Sequence, residues 1–106
     1  MGDANGIDPE PLTVGVELSL RGDLDASNAR ELETQLLRWV AASGTRETVI
    51  NLQDLNSIDS TGLAVLLRVQ QYARQLGHAL GLRRPTGEVE RTIALIGLEE
   101  VLPFID

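Results

Sequence analysis

Asp59, Ser60, Thr61 and Gly62 stand where a polar turn gives way to a long run of apolar residues at helical spacing. A serine placed there suits one kind of chemistry. The first turn of a helix has N–H groups without intrahelical acceptors, and the macrodipole makes that end positive, so a phosphate added to Ser60 is tolerated. A phosphate that comes and goes makes Ser60 a switch and the chain a signalling part. Serine is also a favoured helix N-cap, worth about 1 kcal/mol, and the two roles are compatible.

Other chemistry is narrowly bounded. The chain has no cysteine, which removes disulfides, thiolate catalysis and Cys-type zinc sites. Its one histidine, His78, cannot build a multi-His metal centre. A serine hydrolase needs an elbow such as G-x-S-x-G and an activating base. Here Ser60 sits in Ile58-Asp59-Ser60-Thr61-Gly62, and His78 falls at the far end of the same helix. No catalytic residue, metal or cofactor is expected. A net charge of −7 argues against nucleic acid and anionic membranes as partners. No apolar run approaches the roughly 20 residues of a membrane helix, and no signal peptide is evident. A cytoplasmic protein is the expectation.

The 106 residues make one domain. Residues 1–11, polar and rich in Gly and Pro, read as a flexible tail, with the ordered domain over 12–106. Leu12, Val14, Val16, Leu18 and Leu20 alternate as a half-buried strand. Residues 21–24 read as a turn, after which Asp25 or Ser27 caps a helix with Ala29, Leu32, Leu36, Trp39 and Val40 on its apolar face, ended by Gly44. Thr48 to Leu52 is a short buried strand, and Leu55 and Ile58 lead inward. Ser60 opens the second helix, with Leu63, Leu66, Leu67 and Leu76 along one side and Gly77 at its end. His78 to Arg83 is a weaker strand with Ala79 and Leu82 inside; Val89, Ile93 and Ile96 mark a third helix stopped by Gly97, and Leu98 to Leu102 one last turn. Strands alternating with helices imply βαβ crossovers, hence an α/β fold with a mixed, mostly parallel sheet of about four strands packed with about four helices.

Three segments together resemble the STAS domain, and more narrowly the bacterial anti-sigma factor antagonists. Gly22-Asp23-Leu24-Asp25 matches the family's G-x-L-D turn. Val49 to Leu63 matches its strand, loop and D-S-[ST]-G-L motif. Val89-Glu90-Arg91 through Ile93 to Gly97-Leu98 matches its third helix, with Phe104 in the closing position. The family usually opens with a two-strand hairpin; only Leu12 to Leu20 reads as a strand here, one short of that pattern.

The resemblance implies a partner switch. Unphosphorylated, such a protein binds an anti-sigma factor with serine kinase activity and frees the sigma factor; phosphorylation of the serine, here Ser60, turns it off, and a phosphatase resets it. Asp25 matches a family aspartate lying close to that serine. Asp23, Asp25, Asp59, Ser60, Thr61 and Gly62 are the candidate partner- and kinase-binding residues. Alternatives within the fold are a STAS module of a stressosome, a transporter tail or a lipid-transport complex, or a weak nucleotide sensor. The last has no G-x-x-x-x-G-K-[ST] loop to support tight binding.

Overall fold

The computed structural model describes residues 5–13, 15–42, 47–98 and 100–105. Along the chain run β1 (Gly6–Leu12), β2 (Gly15–Leu24), α1 (Ala29–Ala42), β3 (Glu47–Asn51), β4 (Leu55–Ile58), α2 (Ser60–Leu76), β5 (Leu80–Arg83) and α3 (Gly87–Ile96). The described residues therefore hold a mixed five-stranded sheet and three helices, in place of about four of each. The strand order is β1-β2-β3-β5, with β4 pairing to β2 off this path. Among the described strands only the β1–β2 pair is antiparallel.

The extra strand is β1, which occupies residues read from the sequence as tail. Pro9 and Pro11 cannot donate to a ladder and Asp8 and Glu10 are poor strand formers, so local propensity opposes a strand there. β2 supplies the template. Ile7, Pro9 and Pro11 lie opposite Leu20, Leu18 and Val16, all on one face. Proline is tolerated on an edge strand, where its nitrogen faces away from the ladder. The two-strand opening typical of the resembling family is therefore present.

Residues 21–24, read as a turn, continue β2. Gly22 takes a left-handed φ of 83°, and the β2–β4 register shifts between Gly22 and Asp23, the mark of a bulge. Up to Ser19, β2 pairs with β3; beyond Gly22 it pairs with β4. This change of partner carries Asp23 and Leu24 away from the central strands and beside the residues that precede α2.

One sheet face is apolar. Leu18, Ile50 and Leu82 lie in register on adjacent strands, and all three are fully buried. α1 brings Leu32, Leu36 and Val40 to the same core, and α2 brings Leu63, Leu66 and Val69. The other face is polar: Glu17 accepts from Asn51 Nδ2 at 2.8 Å and from Arg83 Nε at 3.3 Å. α3 adds Val89 and Ile93, and the turn after it adds Leu102.

Several apolar expectations shift. Trp39, expected in the core, is 36% exposed at the margin of the α1 stripe. Leu76 and Ile96 are also exposed, as is Ala79, which precedes β5. Leu98 to Leu102 forms a turn closed by Val101 and Leu102 N–H groups on the Leu98 carbonyl. Val14 and Gly44 lie outside the described residues. No described helix is long and apolar enough to cross a membrane.

Candidate functional site

The N-terminus of α2 is built by Asp59, not by Ser60. Asp59 has extended backbone, φ −113° and ψ −175°, and is the N-cap residue; Ser60 is the first residue of the helix. Asp59 Oδ1 accepts the Gly62 N–H at 2.9 Å, and its carbonyl accepts the Leu63 N–H at 2.9 Å. Its own N–H donates to the Leu24 carbonyl at 3.2 Å, and its Oδ2 accepts the Ala26 N–H at 3.3 Å. One residue thus joins the end of β2, the entry to α1 and the start of α2.

Because Asp59 does the capping, the Ser60 side chain has no structural duty. Ser60 and Thr61 are exposed, and the Ser60 hydroxyl makes no hydrogen bond among the described residues. Gly62 is buried, and its reason is internal. A Cβ there would stand 2.5 Å from the Leu24 carbonyl oxygen and 2.8 Å from Ile58 Cγ1. Glycine lets α2 begin directly against the end of β2.

The neighbouring loop is fixed by a set of short polar bonds. Asp25 Oδ1 accepts from the Ser27 N–H at 2.9 Å and the Ser27 hydroxyl at 2.6 Å. These bonds favour the ionised form and hold the Asp25 carboxyl below its ordinary value. The Asp25 carboxylate is therefore engaged with Ser27 and makes no hydrogen bond to Ser60 among the described residues. Asn28 closes the loop: its Oδ1 accepts the Asp25 N–H at 3.0 Å and its Nδ2 donates to the Asp23 carbonyl at 2.6 Å. Asp23 Oδ1 accepts from the Ser57 hydroxyl at 2.6 Å, which ties β2 to β4.

The six residues singled out from the sequence are thus brought together at one end of the domain. Asp59, Ser60, Thr61 and Gly62 form the helix start, Ala26 links the Asp25 loop to it, and Ser57 links Asp23. Asn28 and Ser57 escaped the sequence reading. Asn28 stands three residues after Asp25, a spacing that invites a local side-chain-to-backbone bond. Ser57 carries no such local signal, because its partner is 34 residues away.

His78 lies at the opposite end of α2, 17 residues and about 25 Å of helix from the site. Its Nδ1 is 2.9 Å from the Val40 carbonyl oxygen. A carbonyl can only accept, so Nδ1 carries the hydrogen, and His78 fastens the end of α2 to α1. Among the described residues no group of three or more His, Asp or Glu could hold a metal ion.

Residues 12–103 match the family model described as "Mlab, STAS domain". The anti-sigma-B factor antagonist of Staphylococcus aureus (strain NCTC 8325 / PS 47) is 27% identical over 86 residues, spanning 81% of this chain and 79% of the relative. A Bordetella bronchiseptica protein named as an anti-sigma factor antagonist, BtrV, is 32% identical over 84 residues, spanning 79% of this chain and 72% of the relative.

Among solved structures, an anti-sigma factor antagonist from Mycobacterium paratuberculosis superposes with a TM-score of 0.79 at 25% identity, covering 94% of this chain and 84% of that one. The antagonist SpoIIAA shares the fold at 17% identity. Its unphosphorylated form gives a TM-score of 0.68 over 93% of this chain and 86% of that one. Its phosphorylated form, from Bacillus, gives 0.66 over 95% and 92%. With the fold, the helix start and these relatives in agreement, the chain belongs to the STAS-domain family, among the anti-sigma factor antagonists.

Proposed function

We propose that this protein is a phosphorylation-controlled partner switch. Unphosphorylated, it binds an anti-sigma factor that is also a serine kinase, and so frees a sigma factor. Phosphorylation of Ser60 by that kinase ends the complex, and a phosphatase restores it. The observation that carries this reading is the exposed Ser60 hydroxyl, unengaged at the first position of α2 while Asp59 supplies the cap. Solved forms of SpoIIAA with and without phosphate support it by analogy of fold.

Physics makes such a switch local. A phosphoserine adds about −1.5 to −2 charge at neutral pH, which a helix N-terminus accommodates, so the fold survives. The added dianion stands beside Asp59 on a surface that a partner must cover. A buried charge left unopposed at an interface costs roughly 2–5 kcal/mol, between one and four decades in Kd.

The test is incubation with a candidate anti-sigma kinase and ATP, followed by mass spectrometry of the modified residue and calorimetry of the complex. Phosphate is expected on Ser60, with Ser60→Ala binding like the unmodified protein and Ser60→Asp binding poorly. Equal affinity of the two variants overturns the reading.

A further inference from the structure

We infer that the partner-docking surface continues from the start of α2 onto the outer face of α1, along Arg30, Thr34 and Arg38, and that the partner meets it there with an acidic segment. This rests on the reading of Ser60 as the switch and adds the chemistry of what docks.

The argument begins with the arginines. All nine basic residues of the chain are arginine, against 16 acidic ones. Arg21 pairs with Asp8, Arg68 with Glu33 and Arg83 with Glu17, and Arg84 lies over the Phe104 ring. Arg46 lies outside the described residues, and Arg30, Arg38, Arg74 and Arg91 have no partner among them. Of these four, only Arg30 and Arg38 share an element and a face. With Thr34 they follow the i, i+4, i+8 spacing, a line about 12 Å long on one side of α1.

The line borders an open groove of about 480 Å³, to which Ala26 and Ser27 also contribute. Glu31 lies on the same wall and offsets one of the two charges. Ala26 is the residue whose N–H reaches Asp59 Oδ2, so one end of the groove adjoins the candidate switch. Trp39, 36% exposed, follows Arg38 about 100° round the helix, outside the residues that line the groove. Arginine and tryptophan are the side chains that most often anchor protein interfaces.

The two halves of this surface differ in sign. Asp23 at the end of β2, Asp25 in the loop after it and Asp59 at the α2 cap make one half acidic, while the α1 face carries Arg30 and Arg38 against Glu31, a net positive patch in a protein of net charge −7. A partner that covers both must present basic groups to the first and acidic groups to the second. Alternating charge of this kind fixes the orientation of docking and excludes like-charged partners. Opposite signs on two halves would also let a second copy pair acid on base about a two-fold axis, but this face adjoins Ser60 through Ala26, and the kinase must cover Ser60 to modify it, so that kinase is the occupant.

The experiment uses the full chain and the kinase found to modify Ser60. Arg30→Glu/Arg38→Glu is compared with Arg74→Glu/Arg91→Glu, which changes the net charge equally but elsewhere. The first pair is expected to raise Kd about tenfold, flatten its salt dependence and raise KM for Ser60 phosphorylation while leaving kcat unchanged. The second pair is expected to stay within about twofold of the parent. Circular dichroism melts check folding, and Arg30→Gln/Arg38→Gln serves if the glutamates perturb α1. Loss with Ser60→Asp but none with the α1 pair overturns this inference alone. Loss with the α1 pair but none with Ser60→Asp overturns the switch and keeps the docking face. Equal losses for both arginine pairs show a general field effect and overturn the local assignment.

Discussion

Asp59 caps the helix that Ser60 begins: its Oδ1 accepts the Gly62 N–H at 2.9 Å, and the serine beside it is left exposed. Capping and switching are thus divided between adjacent residues. A modification of Ser60 does not remove the helix's first hydrogen bonds. Stability and signalling are expected to separate on substitution. Asp59→Ala should cost about 1–2 kcal/mol, because it removes a cap and the bond to Ala26. Ser60→Ala should change stability by less than about 0.5 kcal/mol. Urea unfolding of the two variants reads both values; a Ser60→Ala loss as large as that of Asp59→Ala would falsify this division of labour.

Gly62 is held by the body of the fold rather than by a partner. The nearest obstacle to a Cβ is the backbone carbonyl of Leu24, at 2.5 Å, and a backbone carbonyl in a paired strand cannot swing aside. Gly62→Ala should therefore destabilise by about 1–3 kcal/mol through displacement of α2 from β2. The measurement is the urea midpoint. A neutral result would mean that the helix start can shift freely.

The α2 start was legible in the sequence because a tight polar step precedes a long apolar period, and each signal points to the same boundary. The identity of the cap was not. Asp59 and Ser60 are both good caps, and only the extended backbone at Asp59 decides between them. β1 was hidden for a different reason: Asp8, Pro9, Glu10 and Pro11 oppose a strand locally, and the pairing with β2 that overrides them is tertiary. Trp39 follows the helical period closely enough to suggest burial. The buried line of α1 is Ala29, Leu32, Leu36 and Val40, however, and Trp39 falls just beside it. Periodicity locates a stripe well and its margins poorly.

Glu33 and Arg68 bridge α1 and α2 through two bonds, 2.6 and 2.8 Å long. The Arg68 hydrogen bonds hold the Glu33 carboxyl below its ordinary value of 4.5. A carboxyl depressed in the folded state contributes stability that is present above its unfolded value and is lost as pH falls through the folded one. The pair therefore helps at neutral pH and fails on acidification below about pH 4.5. Arg68 is half exposed, so solvent screens the pair and its contribution is small. Asp25, lowered by its bonds to Ser27, acts in the same direction. Denaturant midpoints at about pH 7 and about pH 3 should converge partly in Glu33→Gln, whose acid sensitivity is smaller than that of the parent. An unchanged pH profile would exclude the pair as a contributor.

The segment after α3 returns to cover the edge of β5. The Leu82 N–H donates to the Pro103 carbonyl at 3.1 Å, and the Ile105 N–H donates to the Leu82 carbonyl at 2.9 Å. Arg84 lies 4.6 Å from the centre of the Phe104 ring, and Ile105 fills the space that Gly81 leaves. A Cβ on Gly81 would stand 2.6 Å from Ile105 Cγ2, as close as the clash at Gly62, yet the obstacle differs in kind. Ile105 is 48% exposed, and its methyl can rotate into solvent where the Leu24 carbonyl cannot. Gly81→Ala should accordingly cost no more than about 1 kcal/mol, less than Gly62→Ala. Ile105→Ala in the same chain should remove most of that cost, giving a non-additive pair in a double-mutant cycle. Additive effects, or a larger loss at Gly81 than at Gly62, would mean that this edge cover is as rigid as the contact between α2 and β2.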